Sequence, residues 1–241
     1  MIFNPNLIKL HHEFASKYIS ESDFLIEHAA SEIMHDIELL NVTPQNILEL
    51  GPRTGHLSRK LATQYPNANR HFALDTEPHT FQTNFDLIVS CMNFHWINEV
   101  EKHLRHINSI LIDEGKYVLN FAASGSLENL KHYLLQCEFE AGIGHSPHII
   151  PFPKEDKVQT MFQQCGFKFV VVSTEKIELE YENPVKLMKD LKNMGENNAL
   201  IDSGTALPKN ILKNALSFSA TPRDMFYGII NLVTVVAGKN P

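Results

Sequence analysis

The stretch "ILELGPRTGHL", Ile47 to Leu57, constrains the chain more than any other. A short apolar run leads into a turn bracketed by Gly51 and Gly55, and helical spacing begins directly after it. A strand that enters a helix this way cannot pair with its successor through a hairpin and needs a crossover. The next segments supply one. Strand candidates "NILEL" (46–50), "HFALD" (71–75), "FDLIVS" (85–90) and "KYVLNF" (116–121) alternate with a helix over 55–65, stopped by Pro66, and a helix over 98–112. That alternation predicts an α/β fold: a mostly parallel sheet with helices on both faces.

On either side of this core the periodicity changes. Leu7, Leu10, Phe14 and Tyr18, then Leu25, Ile26, Ala29, Ile33 and Ile37, recur at helical spacing, which predicts two N-terminal helices with Ser22 as the cap between them. Helix 98–112 carries Val100, Leu104, Ile107 and Leu111 on one stripe, with Gly115 expected to end its last turn. Further on come a helix from Ser126 to about Glu140, an irregular loop "AGIGHSPHIIPFP", a helix ending at Gly166, and strands over 167–174 and 177–181. "NPVKLMKDLKNMG" reads as a helix capped by Asn183, with Pro184 in its first turn and Gly195 past its end. A last strand, expected to pair antiparallel, closes the chain. No repeat or low-complexity linker interrupts it, so a single domain is expected over 1–241, with 1–42 a helical cover and 43–241 the α/β core.

Composition excludes several partners. The 241 residues are 43% hydrophobic and carry a net charge of −7 with no block of Lys or Arg, so nucleic acid is not an expected partner. No apolar run approaches the ~20 residues of a membrane span. The first sixteen residues offer only Lys9 as a positive charge, and neither a signal nor a transit peptide is read there, so the expected location is cytoplasmic. Cys91, Cys137 and Cys165 are odd in number and lack CxxC spacing, which suits small core residues in a reducing compartment.

A glycine turn between strand and helix brings backbone N–H groups and a helix N-terminus toward an anionic or zwitterionic ligand, and an acidic residue ending the next strand can take ribose hydroxyls. Asp75 stands at that position. "ILELGPRTGHLSRKLA", "ALDTEP", "FDLIVSCMNFHWINEVEKHLRHINSILIDEGKYVLNF" and "LKHYLLQCEFEAGIGHSPHIIPF" together resemble the class I S-adenosylmethionine-dependent methyltransferases. "SPHIIPF" and "LMKDLKNMGENNAL" look like the branch containing the mitochondrial complex I assembly factor 5, neighbours of the malonyl-acyl-carrier-protein methyltransferase. The resemblance implies a Rossmann-like fold with S-adenosylmethionine as cofactor. Glu49, Gly51, Arg53 and Gly55 would lie at its methionine end, Asp75 at its ribose, and Met92, Asn93, Phe94 and His95 under the methyl-transfer site, with His95 the candidate catalytic residue. Phe94 and Trp96 read as core anchors of the following helix rather than as contacts to substrate.

The chain departs from that pattern twice. Arg53 stands where the family turn carries a central glycine, and is expected to point into the cleft near Asp75 or Glu49. Between Asp75 and Phe85 only nine residues remain, about 30 Å of extended chain, so the usual edge strand after Asp75 is expected to be missing. Two functions follow: methyl transfer to a protein side chain or an acyl-carrier-bound carboxylate, or a non-catalytic assembly or binding factor on the same fold. No metal site is expected; His103 with His106, and His145 with His148, lack a carboxylate at ligand spacing.

Overall fold

The computed structural model describes residues 1–18, 22–74, 81, 83–202, 208, 211, 215 and 225–240. Asp75 and most of the segment up to Asn84 lie outside them, as does any strand there. Six strands form one sheet in the order β2-β1-β3-β4-β6-β5: β1 Asn46–Leu50, β2 Asn69–Ala73, β3 Phe85–Cys91, β4 Leu111–Ala122, β5 Phe169–Tyr181 and β6 Phe226–Gly238. The β2, β1, β3 and β4 neighbours pair in parallel, and β6 runs antiparallel between β4 and β5. As expected, "ILEL" lies between "HFALD" and "FDLIVS", and β2 forms the sheet edge among the described residues.

Helices α1 Pro5–Tyr18, α2 Phe24–Leu39, α3 His56–Gln64, α4 Val100–Ile110, α5 Glu128–Glu140, α6 Glu155–Gln164 and α7 Pro184–Asn193 complete the fold. The sheet has a core on each face. Ile47, Leu87 and Val89 join the apolar stripes of α2, α3, α5 and α7, whereas Leu48, Leu50 and Ile88 face α4 and α6. This alternation along β1 and β3 is the pleat itself. It assigns Glu49, between Leu48 and Leu50, to the side of α2 and α3.

Three local expectations are corrected. Gly115 does not end α4. The chain passes from Ile110 straight into β4, and Gly115 lies where the pairing with β3 slips, its α-carbon so close to the Phe85 carbonyl that a Cβ would stand 2.9 Å from that oxygen. Ser22 is not the cap of α2, which is Asp23. Instead the Ser22 hydroxyl donates to Asp190 at 2.8 Å and accepts from Asn193 at 3.2 Å, tying the entry of α2 to α7. The strands expected at 167–174 and 177–181 are one, β5.

A third, small apolar cluster covers the carboxyl end of the sheet. Phe3, Ile8, Trp96, Ile150 and Ala199 come from distant segments. Asn98 fastens the first of these, accepting from the N–H of Ile2 and Phe3 at 2.7 and 2.8 Å, and Phe3 bridges to Leu200.

Candidate functional site

The carboxyl ends of β1 and β3 meet at the glycine turn. Gly51 (φ +62°) and Gly55 (φ +72°) both occupy the left-handed region that glycine tolerates. Gly51 is needed for a second reason: the Asn93 amide donates to the Gly51 and Cys91 carbonyls at 2.9 and 2.8 Å, and a Cβ on Gly51 would fall 2.5 Å from that nitrogen. Met92, a non-glycine residue at φ +53°, is held there by N–H donation to the Asn120 backbone and side-chain oxygens at 3.0 and 3.1 Å. Its carbonyl is thereby turned toward Arg53.

Arg53 lines the cleft as expected, but of its two expected neighbours Asp75 lies outside the described residues, and in place of Glu49 the guanidinium takes Glu196. Its Nη1 donates to Glu196 Oε1 at 2.7 Å and its Nη2 to the Met92 carbonyl at 2.5 Å, with the Met194 carbonyl and His12 Nε2 each at 3.3 Å from Nη1. The other Glu196 oxygen accepts from His95 Nε2 at 2.9 Å. All three side chains are almost fully buried. A carboxylate that meets a cation this far from water is a better counter-ion than Glu49, which already accepts from Ser58 at 2.5 Å.

The electrostatics follow. Burial opposes charge on Glu196, but the Arg53 guanidinium and then His95 overcome it and hold the carboxyl at about 2. Burial, reinforced by Arg53, pushes His12 down to about 2, so His12 is neutral and accepts from Arg53. Burial raises the Glu49 carboxyl, partly offset by Ser58. Cys91 is pushed up to about 12 by burial, which leaves it an inert thiol.

Glu196 was missed in the sequence, being 143 positions from Arg53. What aims it is the end of α7: Gly195 N–H bonds the Lys192 carbonyl at 3.1 Å and Glu196 N–H the Leu191 carbonyl at 2.8 Å, the paired bonds of a Schellman stop. Gly195 also approaches α1 so closely that a Cβ would lie 3.1 Å from the His11 carbonyl. The sequence marks the helix stop at Gly195 but carries no local signal for the role of the acid directly behind it. Also unforeseen, His28, Glu32 and Glu175 converge within 4.8 Å of one another on the surface.

The space around the turn is divided. Beside Glu49, Gly51, Thr54 and Gly55 only about 10 Å³ remains. A cleft of about 190 Å³ lies between α1 and the turn, lined by His12, Gly51, Arg53, Leu74, Asn93 and Trp96. Across the Arg53–Glu196 pair, a chamber of about 370 Å³ opens between α5, α7 and the 148–152 segment. Phe94 is a core anchor, buried against Phe121 and Phe162, whereas Trp96 lines both larger spaces.

A Rossmann-like sheet with its glycine turn, left-handed glycines and cleft at the carboxyl ends of the strands defines a nucleotide-type binding fold. Residues 25–172 match the family described as a methyltransferase domain, and the chain belongs to that family, the class I S-adenosylmethionine-dependent methyltransferases. It is 33% identical over 224 residues to RP459 of Rickettsia prowazekii, which carries a provisional methyltransferase name, covering 84% of this chain and 96% of that one. It is 32% identical to the mitochondrial arginine-hydroxylase NDUFAF5 of Mus musculus over 70% of this chain, which spans 48% of that protein. A Bacillus halodurans protein solved under a methyltransferase title shares the fold, with a TM-score of 0.54 at 10% identity over 88% of this chain and all of the other. Among the described residues, no helix is long and apolar enough to cross a membrane.

The family's cofactor meets a divided site. The residue types fit a zwitterion: a glycine turn, a buried carboxylate at Glu49 and a cation at Arg53. Among the described residues the room falls short, because pockets for ligands of this size hold about 300 Å³ or more, against about 10 Å³ beside the turn and about 190 Å³ in the cleft while Arg53 stays on Glu196.

Proposed function

We propose that the protein is a methyltransferase whose cofactor cleft is latched by the Arg53–Glu196 pair, and that its acceptor is a carboxylate or a protein side chain. The observation that carries this is the counter-ion of Arg53. A cation at the glycine turn is suited to a ligand carboxylate, and here a carboxylate from the chain's own α7 stop stands in that role at 2.7 Å. An incoming carboxylate that takes over Arg53 would let the guanidinium move and open the turn. Asp75, Gly51 and Asn93 would then hold the cofactor, whose electrophilic methyl is the chemistry that it supplies. Trp96 and the Phe3 segment keep water out above, and an acceptor carboxylate, ionised at neutral pH, needs no base. An acceptor carried on another protein, an acyl-carrier protein included, is compatible with a cleft at the surface end of the sheet.

The filled turn also favours a second reading, an assembly or binding factor that keeps the latch shut. Calorimetry with S-adenosylhomocysteine separates them. Glu196→Gln weakens the hold on Arg53 without removing a side chain, so it should bind at least tenfold tighter than the unmodified protein. No heat from either protein into the millimolar range would end the methyltransferase reading and leave the binding factor.

A further inference from the structure

The chamber of about 370 Å³ lies beside the latch, across the Arg53–Glu196 pair from the cleft. Its wall is apolar: Leu130 and Leu134 from α5, Met188 and Leu191 from α7, and Ile149 and Phe152 from the segment between α5 and α6. Two titratable side chains reach it, and each already has a partner. Glu196 is held by Arg53 and His95, and His148 donates to Glu138 at 2.7 Å. The amide of Asn198 is spent on the Pro147 carbonyl at 2.5 Å and its oxygen on the Leu200 N–H at 2.9 Å. A charged ligand would therefore enter without a counter-ion, at a cost of several kcal/mol.

Trp96 also lines the chamber, but its indole N–H, unpartnered among the described residues, is itself buried and closed to an occupant. Two of the chain's non-glycine residues with positive φ, Met92 (+53°) and Leu127 (+58°), also border this chamber, so its wall is made from backbone that is held against its preference.

From the apolar lining and the polar side chains already partnered, we propose that this chamber binds a neutral, mainly aliphatic chain of about ten to twelve carbons. The length follows from volume: at about 30 Å³ for each water-sized group, 370 Å³ holds about a dozen. The binding of this chain does not depend on the methyl-transfer reading above, and the measurement is made on the protein without cofactor.

The probes are 2-butanone, 2-hexanone, 2-octanone, 2-decanone, 2-tetradecanone and decanoate, followed by calorimetry and by the emission of Trp96, the sole tryptophan. Affinity should rise about three- to fourfold per methylene up to 2-decanone and gain nothing further at 2-tetradecanone. Decanoate should bind at least tenfold more weakly than 2-decanone. Met188→Phe, which shrinks the chamber, should weaken 2-decanone at least tenfold, and Ile149→Phe serves if that variant does not fold. No saturable binding of 2-decanone up to its solubility, a decanoate affinity equal to it, or unchanged affinity in a folded chamber-filling variant would overturn the proposal. The chain-length series on the unmodified protein decides the matter even if both variants unfold.

Discussion

Arg53 is the residue that most disturbs the sequence pattern, and in the structure its guanidinium is buried and paired. Its guanidinium is enclosed by Glu196, the Met92 carbonyl and His12, and only Nε lacks a partner among the described residues. Removing one side of such a pair leaves the other charged and dry. Arg53→Met should accordingly cost about 3–5 kcal/mol in urea denaturation, because Glu196 keeps only His95. Converting both, Arg53→Met with Glu196→Leu, should restore most of that loss, since an apolar pair of similar volume carries no desolvation penalty. A single-variant cost below about 1 kcal/mol would mean that water reaches Glu196 after all. Arg53 does not take Glu49 as its counter-ion for a physical reason: the pleat turns the Glu49 carboxylate toward Ser58 on α3, while the guanidinium reaches across the strand ends toward the end of α7.

At the scale of elements, α7 is the part that positions the latch. Asn183 caps it, its side chain accepting from the Lys186 N–H at 3.1 Å, Pro184 starts it, and Leu187 lies over Gly228 of β6. A Cβ at Gly228 would stand 2.9 Å from Leu187 Cδ2, and Leu187 is fully buried with little room to yield. Gly228→Ala should therefore cost about 1–3 kcal/mol by overpacking, and Asn183→Ala about 1 kcal/mol through the lost cap, both read by thermal unfolding. An unchanged midpoint for Gly228→Ala would show that α7 rides freely on the sheet. These elements were legible because their signals are local: cap, proline, glycine stop and a 3.6-residue stripe. The end of α4 was not, since "NSILI" satisfies helix and strand equally and only pairing with β3 decides it. The glycine turn was legible for the same local reason, whereas Glu196 reaches it only through tertiary packing of α7 against α1.

Across the whole molecule, the buried groups around the latch tie stability to pH in one direction. His12 ionises at about 6.5 when unfolded and only near 2 when folded, because burial and then Arg53 disfavour its charged form. Between those values the unfolded chain binds a proton that the folded one refuses, so stability falls as pH drops below about 6.5. His11, lowered chiefly by burial, adds to the same trend. Glu196 joins further down: its folded value near 2 lies below the usual 4.5, so the stability that it contributes is complete above pH 4.5 and drains away as pH falls toward 2. The slope should thus steepen in two stages, each group contributing at most about 1.4 kcal/mol per pH unit. His12→Gln keeps a carbonyl that can accept from Arg53 but cannot titrate. Urea midpoints taken from pH 7.5 to pH 5 should fall for the unmodified protein and fall less for this variant, while the loss below pH 4.5 remains in both. Parallel curves over the upper range would show that His12 takes up its proton in the folded state, and with it that the latch is open to water.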